Sequence, residues 1–454
     1  MSLKKSVMKK ATFLLVILLL ASFAGAFCQI PLDLKARHRT TGEMVTFKNA
    51  GRSRGSLIVQ TALDPATGKT NDVKQFELRQ YEFFPGNIES LWQKLLLESK
   101  VYDDLLKSGY DYEQRFAMEE MMKDYINSVE QTNSFYIDSY LEAKLYSILR
   151  MVYPVRHTDK RPGILSLRIL AEITPDAWVG PDGTMIITTG MITAVNSEAE
   201  LMALMAQEVA HFALDHQLAR YKKLLVSELE PALGNVIRYT TQQELLADKC
   251  AVSVLLPYSM KSSALASMLK KVLEAGELMG NYYLGSASGY FPDAATRAAT
   301  YSDTVKYFST DYERLIAPVM SFNAFMAYNQ SHYLLCRRLL ERNIASGVAT
   351  ADDMVLLSQA MMNLSGSDTE DEQALSMVRS VTEGVAEPPP GAFKQEALLL
   401  LRMDRRDEAE TALLKCVEAL DREEKKYSAM PGDWSQMMNY LQSEKDWVKR
   451  TLRR

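Results

Sequence analysis

Gln207-Glu208-Val209-Ala210-His211 has the spacing of a zinc-hydrolase helix with one ligand changed. In H-E-x-x-H, two histidines one turn apart bind Zn²⁺, and the glutamate between them activates the metal-bound water. Here the first position is Gln207, whose amide oxygen is neutral and a poorer zinc donor than imidazole. His211 keeps the second ligand place and Glu208 the place of the general base. Gln207 and His211 share one helix face, and Glu208 is turned by about 100° from Gln207. A catalytic zinc takes three protein ligands and a water. Glu244, on the next helix, is a carboxylate suited to be the third ligand, and Asp248, one turn on, is placed to orient an imidazole. Taken singly, His211 reads as a core histidine, Glu244 as a capping glutamate and Asp248 as a surface charge. Together, in this order after a strand, they read as a metal site. His216 lies about 140° around a continuous helix from His211 and reads as structural or supporting.

The elements that must position these groups are legible in outline. Ile164 to Leu170 and Thr184 to Thr189 are candidate strands, with Pro181-Asp182-Gly183 as a turn before the second. Ser197-x-x-Glu200 is a capping box that starts the central helix. Its apolar stripe is Leu201, Leu204, Met205, Val209 and Phe212, and the pattern predicts a helix running towards Leu225. Thr241-x-x-Glu244 predicts a second capping box, opening a helix that ends near Pro257. Upstream, residues 27 to about 85 are turn-rich, with one strand expected at Gly55 to Gln60. Helical patterns fill residues 88 to 152 and end at Pro154. Beyond about residue 310 the chain is nearly all helix-forming. Ala392 to Leu420 has small alanines where helices would cross and leucines facing inward, as in a tetratricopeptide-type pair.

The chain has 454 residues, 47% of them hydrophobic, enough for two or three cored domains. Lys4, Lys5, Lys9 and Lys10, an apolar run to about Phe23 and the small residues Ala24-Gly25-Ala26 have the layout of a secretory signal peptide. Its removal takes away four lysines and lowers the net charge from −5 to −9. An acidic exported product excludes nucleic acid as the expected partner. Cys28, Cys250, Cys336 and Cys416 form no C-x-x-C pair, so no cysteine zinc site is expected. The last three sit in apolar helical patterns and read as buried thiols, with a disulfide left open by export.

The residues from Pro175 to Met191, Ser197 to Leu201, Gln207 to His211 with His216, and Glu244 to Asp248 together resemble the zinc metalloendopeptidase family of the heat-shock protease HtpX and the CAAX prenyl endopeptidases. The resemblance covers roughly residues 120 to 310. It implies a gluzincin-type fold in which position 207 and His211 are zinc ligands, Glu208 is the general base and Glu244 the third ligand. Asp248 and Arg297 would support the site. The strand of Thr184, Met185, Ile186, Ile187 and Thr188 would be the edge on which substrate lies as an added strand. Two positions depart from the family pattern. Gln207 replaces the first histidine, and Phe291 stands where a His-Pro pair is usual before the arginine.

The expected fold is α+β and mostly helical. It comprises a signal peptide (1–26), a β and helical lead-in (27–119), a metallopeptidase-like domain with a small sheet (120–310) and a tetratricopeptide-like helical domain (311–454). Two functions follow from different classes. One is a periplasmic or envelope metalloendopeptidase acting on extended or misfolded polypeptide, with zinc weak or absent because of Gln207. The other is a non-catalytic pseudopeptidase, binding polypeptide as a chaperone or adaptor. In either, the helical tail would serve an envelope protein complex.

Overall fold

The computed structural model describes residues 29–453, apart from 54, 109–110, 155–162, 165, 287–288 and 303–304. The signal-peptide segment and Cys28 lie outside the described residues. The architecture is α+β and mostly helical. Contacts divide the chain into two compact units: residues 1–168, 177–186 and 202–266, and residues 169–176, 187–201 and 267–454. This grouping does not follow a linear boundary at residue 310. Among the described residues, no helix is long and apolar enough to cross a membrane.

In the first unit, five antiparallel strands form a sheet where the sequence suggested one strand. They are β1 (Ile30–His38), β2 (Met44–Ser53), β3 (Ser56–Thr61), β4 (Asp72–Lys74) and β5 (Tyr81–Phe84), in the order β4-β3-β2-β1-β5. The missed signal is the alternation in β1, where Leu32, Leu34 and Ala36 are buried between exposed residues. Pairing register shifts at Pro31/Leu34 and Phe47/Asn49, and β2 loses the period that β1 keeps. Two helices, α1 (Ile88–Glu98) and α2 (Val101–Ser108), pack on this sheet. The backbone of Asp33 donates to Gln93, and Arg52 pairs with Asp103 at 2.8 Å.

Helices α3 (Tyr112–Gln131) and α4 (Ser139–Val152) follow. Trp92 of α1 is fully buried and donates to the carbonyl of Val152 at 2.8 Å. Its ring meets Tyr153 edge-on at 5.3 Å, and Tyr153 meets Phe212 at 6.4 Å. This aromatic row links α1 and the end of α4 to the central helix, in geometries that add to the burial energy.

Strands β6 (Ser166–Leu170), β7 (Ala177–Val179) and β8 (Thr184–Thr188) form a second sheet in the order β6-β8-β7. Here the expectation fails. Thr184, Met185, Ile186, Ile187 and Thr188 make the central strand, not an edge, and all five are buried. Because β7 folds back on one side of β8 and β6 lies on the other, both lines of main-chain hydrogen-bonding groups are engaged. No substrate strand can add there.

In the second unit, α5 (Thr189–Ala194) follows β8 directly, with Gly190 in its first turn. The Gly190 amide donates to Glu172 O at 2.8 Å, and a Cβ here would come within 2.1 Å of the Ile173 carbonyl. Only glycine tolerates that approach. Further along the chain, α6 (Glu198–Ala213) spans the division, α7 (His216–Val226), α8 (Leu233–Val236) and α9 (Thr241–Leu255) belong to the first unit, and α10 (Ser263–Leu278) and α11 (Ala294–Tyr301) lead into the second. The remaining helices are α12 (Thr310–Asn329), α13 (Tyr333–Ala345), α14 (Ala351–Leu364), α15 (Asp368–Thr382), α16 (Pro390–Arg402), α17 (Arg406–Ala429) and α18 (Ser435–Leu452).

From α12 onward each helix packs on the next, and α14 also touches α12 and α16. Short turns between neighbours favour such hairpin stacking. Buried alanines Ala374, Ala397, Ala409 and Ala412 sit between Leu375, Leu400 and Leu413 in this core. Arg342 of α13 ties α5 to this stack. It pairs with the fully buried Glu313 at 2.7 Å and donates to the carbonyls of Thr193 and Val195.

Candidate functional site

The central helix α6 is capped as the sequence predicted. Ser197 Oγ accepts from the Glu200 amide at 3.3 Å, and Glu200 Oε2 accepts from the Asn196 amide at 2.7 Å. The second cap lies one residue earlier than expected. Thr240 is the N-cap of α9, and Gln243 completes the box. This shift matters, because it frees Glu244 from capping and turns it inward, where it is 3% exposed. Every residue of α6 from Glu200 to Ala213 is buried. The helix therefore buries more than the apolar stripe, and its polar side chains need partners inside the protein.

The helix does not run on to Leu225. It stops at Leu214, and Asp215 takes a left-handed conformation with φ 56°. Arg115 of α3 holds the Asp215 carboxylate with two bonds, at 3.1 and 2.9 Å. The chain then restarts as α7 with His216. This break overturns the helical-wheel placement of His216: its Nδ1 lies 3.0 Å from Nδ1 of His211.

Four polar side chains of the first unit meet in the interior. Gln207 Nε2 donates to Glu244 Oε2 at 2.8 Å. His211 Nε2 lies 3.6 Å from the same oxygen. His216 completes the group through His211. The Tyr239 ring stacks flat on the His211 imidazole, with centroids 3.7 Å apart and planes at 17°. Gln217 bridges Tyr239 to the sheet, donating to the Tyr239 hydroxyl at 3.2 Å and to the carbonyl of Val179 in β7. Neither Tyr239 nor Gln217 stood out in the sequence. Their only local signal is proximity to His216 and to the start of α9.

Burial, and then the neighbouring His211, push the His216 imidazole down to about 2, so this ring is neutral. The short Nδ1–Nδ1 contact therefore needs a single proton between the two rings. With that proton on His216, Nε2 of His211 carries hydrogen and faces the Glu244 carboxylate. With the proton on His211, a lone pair faces the carboxylate. Electrostatics favours the first arrangement, which is the tautomer opposite to that of a zinc ligand.

This geometry does not fit a three-ligand zinc centre. The face that Gln207 turns to Glu244 is its N–H donor, which cannot bind a cation. Among the described residues, no group of three or more His, Cys, Asp or Glu is placed to hold a metal. Two polar atoms in the cluster, Gln207 Oε1 and His211 Nε2, are buried without a hydrogen-bond partner.

Of the remaining candidates, Glu208 and Asp248 are buried on α6 and α9, at 6% and 0% exposure. Arg297 belongs to the second unit and donates to the Pro292 carbonyl at 3.2 Å. Phe291 is a packed core residue, 2% exposed, whose amide donates to Leu284 O at 2.9 Å.

Residues 147–230 match the family model of peptidase family M48. The matched segment contains Gln207, Glu208 and His211, and stops before Glu244 and Asp248. Peptidases of this family are generally zinc-dependent, and the matched segment is similar to theirs. No curated protein matches the chain.

Proposed function

We propose that this protein is an exported, divergent metallopeptidase-type protein that engages extended or misfolded polypeptide, with zinc-water hydrolysis disabled at Gln207. The observation that carries this reading is the 2.8 Å bond from Gln207 Nε2 to Glu244 Oε2. It satisfies the third-ligand carboxylate with an uncharged donor, where a zinc ion would otherwise supply the positive charge. The gluzincin-type fold of residues 120–310 and the tetratricopeptide-like character of the tail belong to this reading, as does an envelope or periplasmic location. The match to peptidase family M48 supports the first, the serial packing of α12 to α18 the second, and the basic-apolar-small N-terminal segment the third. Chaperone or adaptor action in an envelope complex is the role such a protein would have.

A zinc-loaded peptidase is the second reading, and one observation favours it. Gln207 Oε1 and His211 Nε2 are buried without hydrogen-bond partners, and with His211 in its other tautomer a cation would satisfy both. In that state His211, Glu244 and Gln207 would hold the ion, and Glu208 would be the base.

One experiment separates the two. Bound zinc and casein cleavage are measured on the purified protein, Glu208→Ala and Gln207→His. Disabled hydrolysis predicts sub-stoichiometric zinc, no Glu208-dependent cleavage, and a gain of zinc in Gln207→His. Stoichiometric zinc with Glu208-dependent cleavage in the unaltered protein would establish the peptidase instead.

A further inference from the structure

The second unit contains an open cleft of about 440 Å³, counting the solvent at its mouth. It is lined by one face each of α10 and α13, with α5 and Ile173 also contributing. On α10, Lys271, Glu274, Ala275 and Leu278 follow helical spacing, and on α13 so do Leu335, Arg338, Leu339 and Arg342. The cleft is thus apolar in part and carries cations.

The charges can be assigned one by one. Arg342 is spent on Glu313 and on two backbone carbonyls. Lys271 pairs with Glu274 at 3.2 Å, within the same helix. Arg338 is exposed and, among the described residues, has no hydrogen bond or ion pair. Its guanidinium is therefore the open anion-binding group of this cleft, with the half-exposed Lys271 as its neighbour. Asn196 adds polarity of the other sense. Its Nδ2 donates to Glu313 at 3.0 Å, while Oδ1 takes no bond from any described residue.

We propose that this cleft binds the C-terminal end of a polypeptide whose last residue is apolar. The free carboxylate would pair with Arg338, a bidentate match that a guanidinium makes well. The terminal side chain would cover Leu335, Leu339 and Leu278. Oδ1 of Asn196 would accept the terminal peptide N–H, a group that a fatty acid lacks. The cleft is shallow and open to solvent, so it would seat only the last residue and its carboxylate, with the preceding chain leaving through the open side. This proposal goes beyond the reading of the Gln207 cluster and needs neither zinc nor hydrolysis.

The test is fluorescence polarisation on the full protein, using a labelled heptapeptide ending in leucine as free acid and as amide. The acid is expected to bind at least tenfold more tightly than the amide. Arg338→Glu, an exposed substitution, should abolish that difference, and Ala275→Trp should weaken the acid by filling the cleft. Thermal melts followed by circular dichroism confirm that each variant is folded. Equal binding of acid and amide, undetectable binding of both, or full discrimination by folded Arg338→Glu would each overturn the proposal. So would competition by dodecanoate as strong as that by unlabelled peptide. Gln207→His leaves this binding unchanged if the cleft acts independently, so failure here and failure of the Gln207 reading are distinguishable.

Discussion

Nε2 of Gln207 donates to Oε2 of Glu244 across 2.8 Å, joining α6 to α9 by one buried bond. Both residues are almost fully enclosed, at 1% and 3% exposure. The side chain that departs from the zinc motif has become the partner of the carboxylate that the motif would have used. A hydrogen bond to a buried charged group is among the stronger ones in a protein.

Substitution at Gln207 should therefore separate packing from metal binding. Gln207→Ala is expected to destabilise the first unit by about 1.5–3 kcal/mol, the worth of one hydrogen bond to a charged group. Gln207→His should raise zinc affinity by at least tenfold over the unaltered protein. Urea unfolding followed by fluorescence reads the first, and competition against a zinc chelator reads the second. An alanine variant as stable as the parent would show that the bond is dispensable.

The His216 pair makes stability depend on pH. In the unfolded chain a histidine protonates near pH 6.5, whereas in the fold His216 stays neutral down to about 2. Below pH 6.5 the unfolded state thus binds a proton that the native state does not. The stability at this site is complete above about 6.5 and is lost as pH falls, by up to about 1.4 kcal/mol per pH unit. Comparing unfolding midpoints at pH 7 and pH 5 for the parent and for His216→Asn isolates the effect. A smaller loss in the variant is the expected result.

The three described thiols should be inert in the native state. Burial pushes Cys250 and Cys336 up to about 12 and Cys416 to about 11. At pH 8 their thiolate fractions are then on the order of one in a thousand or less, and the thiolate is the reactive form. A Cys28→Ser variant should give little colour with a thiol reagent at pH 8 until denaturant is added, then about three equivalents. Rapid native labelling would contradict the burial of these side chains.

Arg342 should be worth more to stability than a surface ion pair. Its partner Glu313 is fully buried, so truncating the arginine leaves an uncompensated charge. Arg342→Ala is expected to cost about 3–5 kcal/mol. The double variant Arg342→Met/Glu313→Leu should recover much of that loss, because it removes both charges together. Thermal melts of the three proteins decide it.

Much of this architecture was legible in the chain because its causes are local. Ser197 and Glu200 determined where α6 begins, since a capping box satisfies donors within one turn. The alanine and leucine periodicity after residue 310 determined a run of packed helices. The order Gln207, Glu208, His211, Glu244 fixed which groups belong to one chemical cluster, and three of them meet in the fold. Of the five N-terminal strands only β3 was legible, since β2 loses its alternation where the register shifts, while β1 keeps its own and was missed in a turn-rich stretch.

What the tertiary structure decided is orientation, which depends on groups far apart in sequence. Arg115 of α3 holds Asp215 where α6 ends, and that break brings His216 against His211. A helical wheel assumes a continuous helix and misplaces that ring. The cap at Thr240 rather than Thr241 turns Glu244 inward. The return of β7 beside β8 closes the strand that the family resemblance would leave open to substrate. Above all, the motif showed that Gln207 had replaced a ligand. Only the packing of α6 against α9 showed that its amide donates to Glu244, because a side chain's hydrogen-bonding face is chosen by the partner it meets.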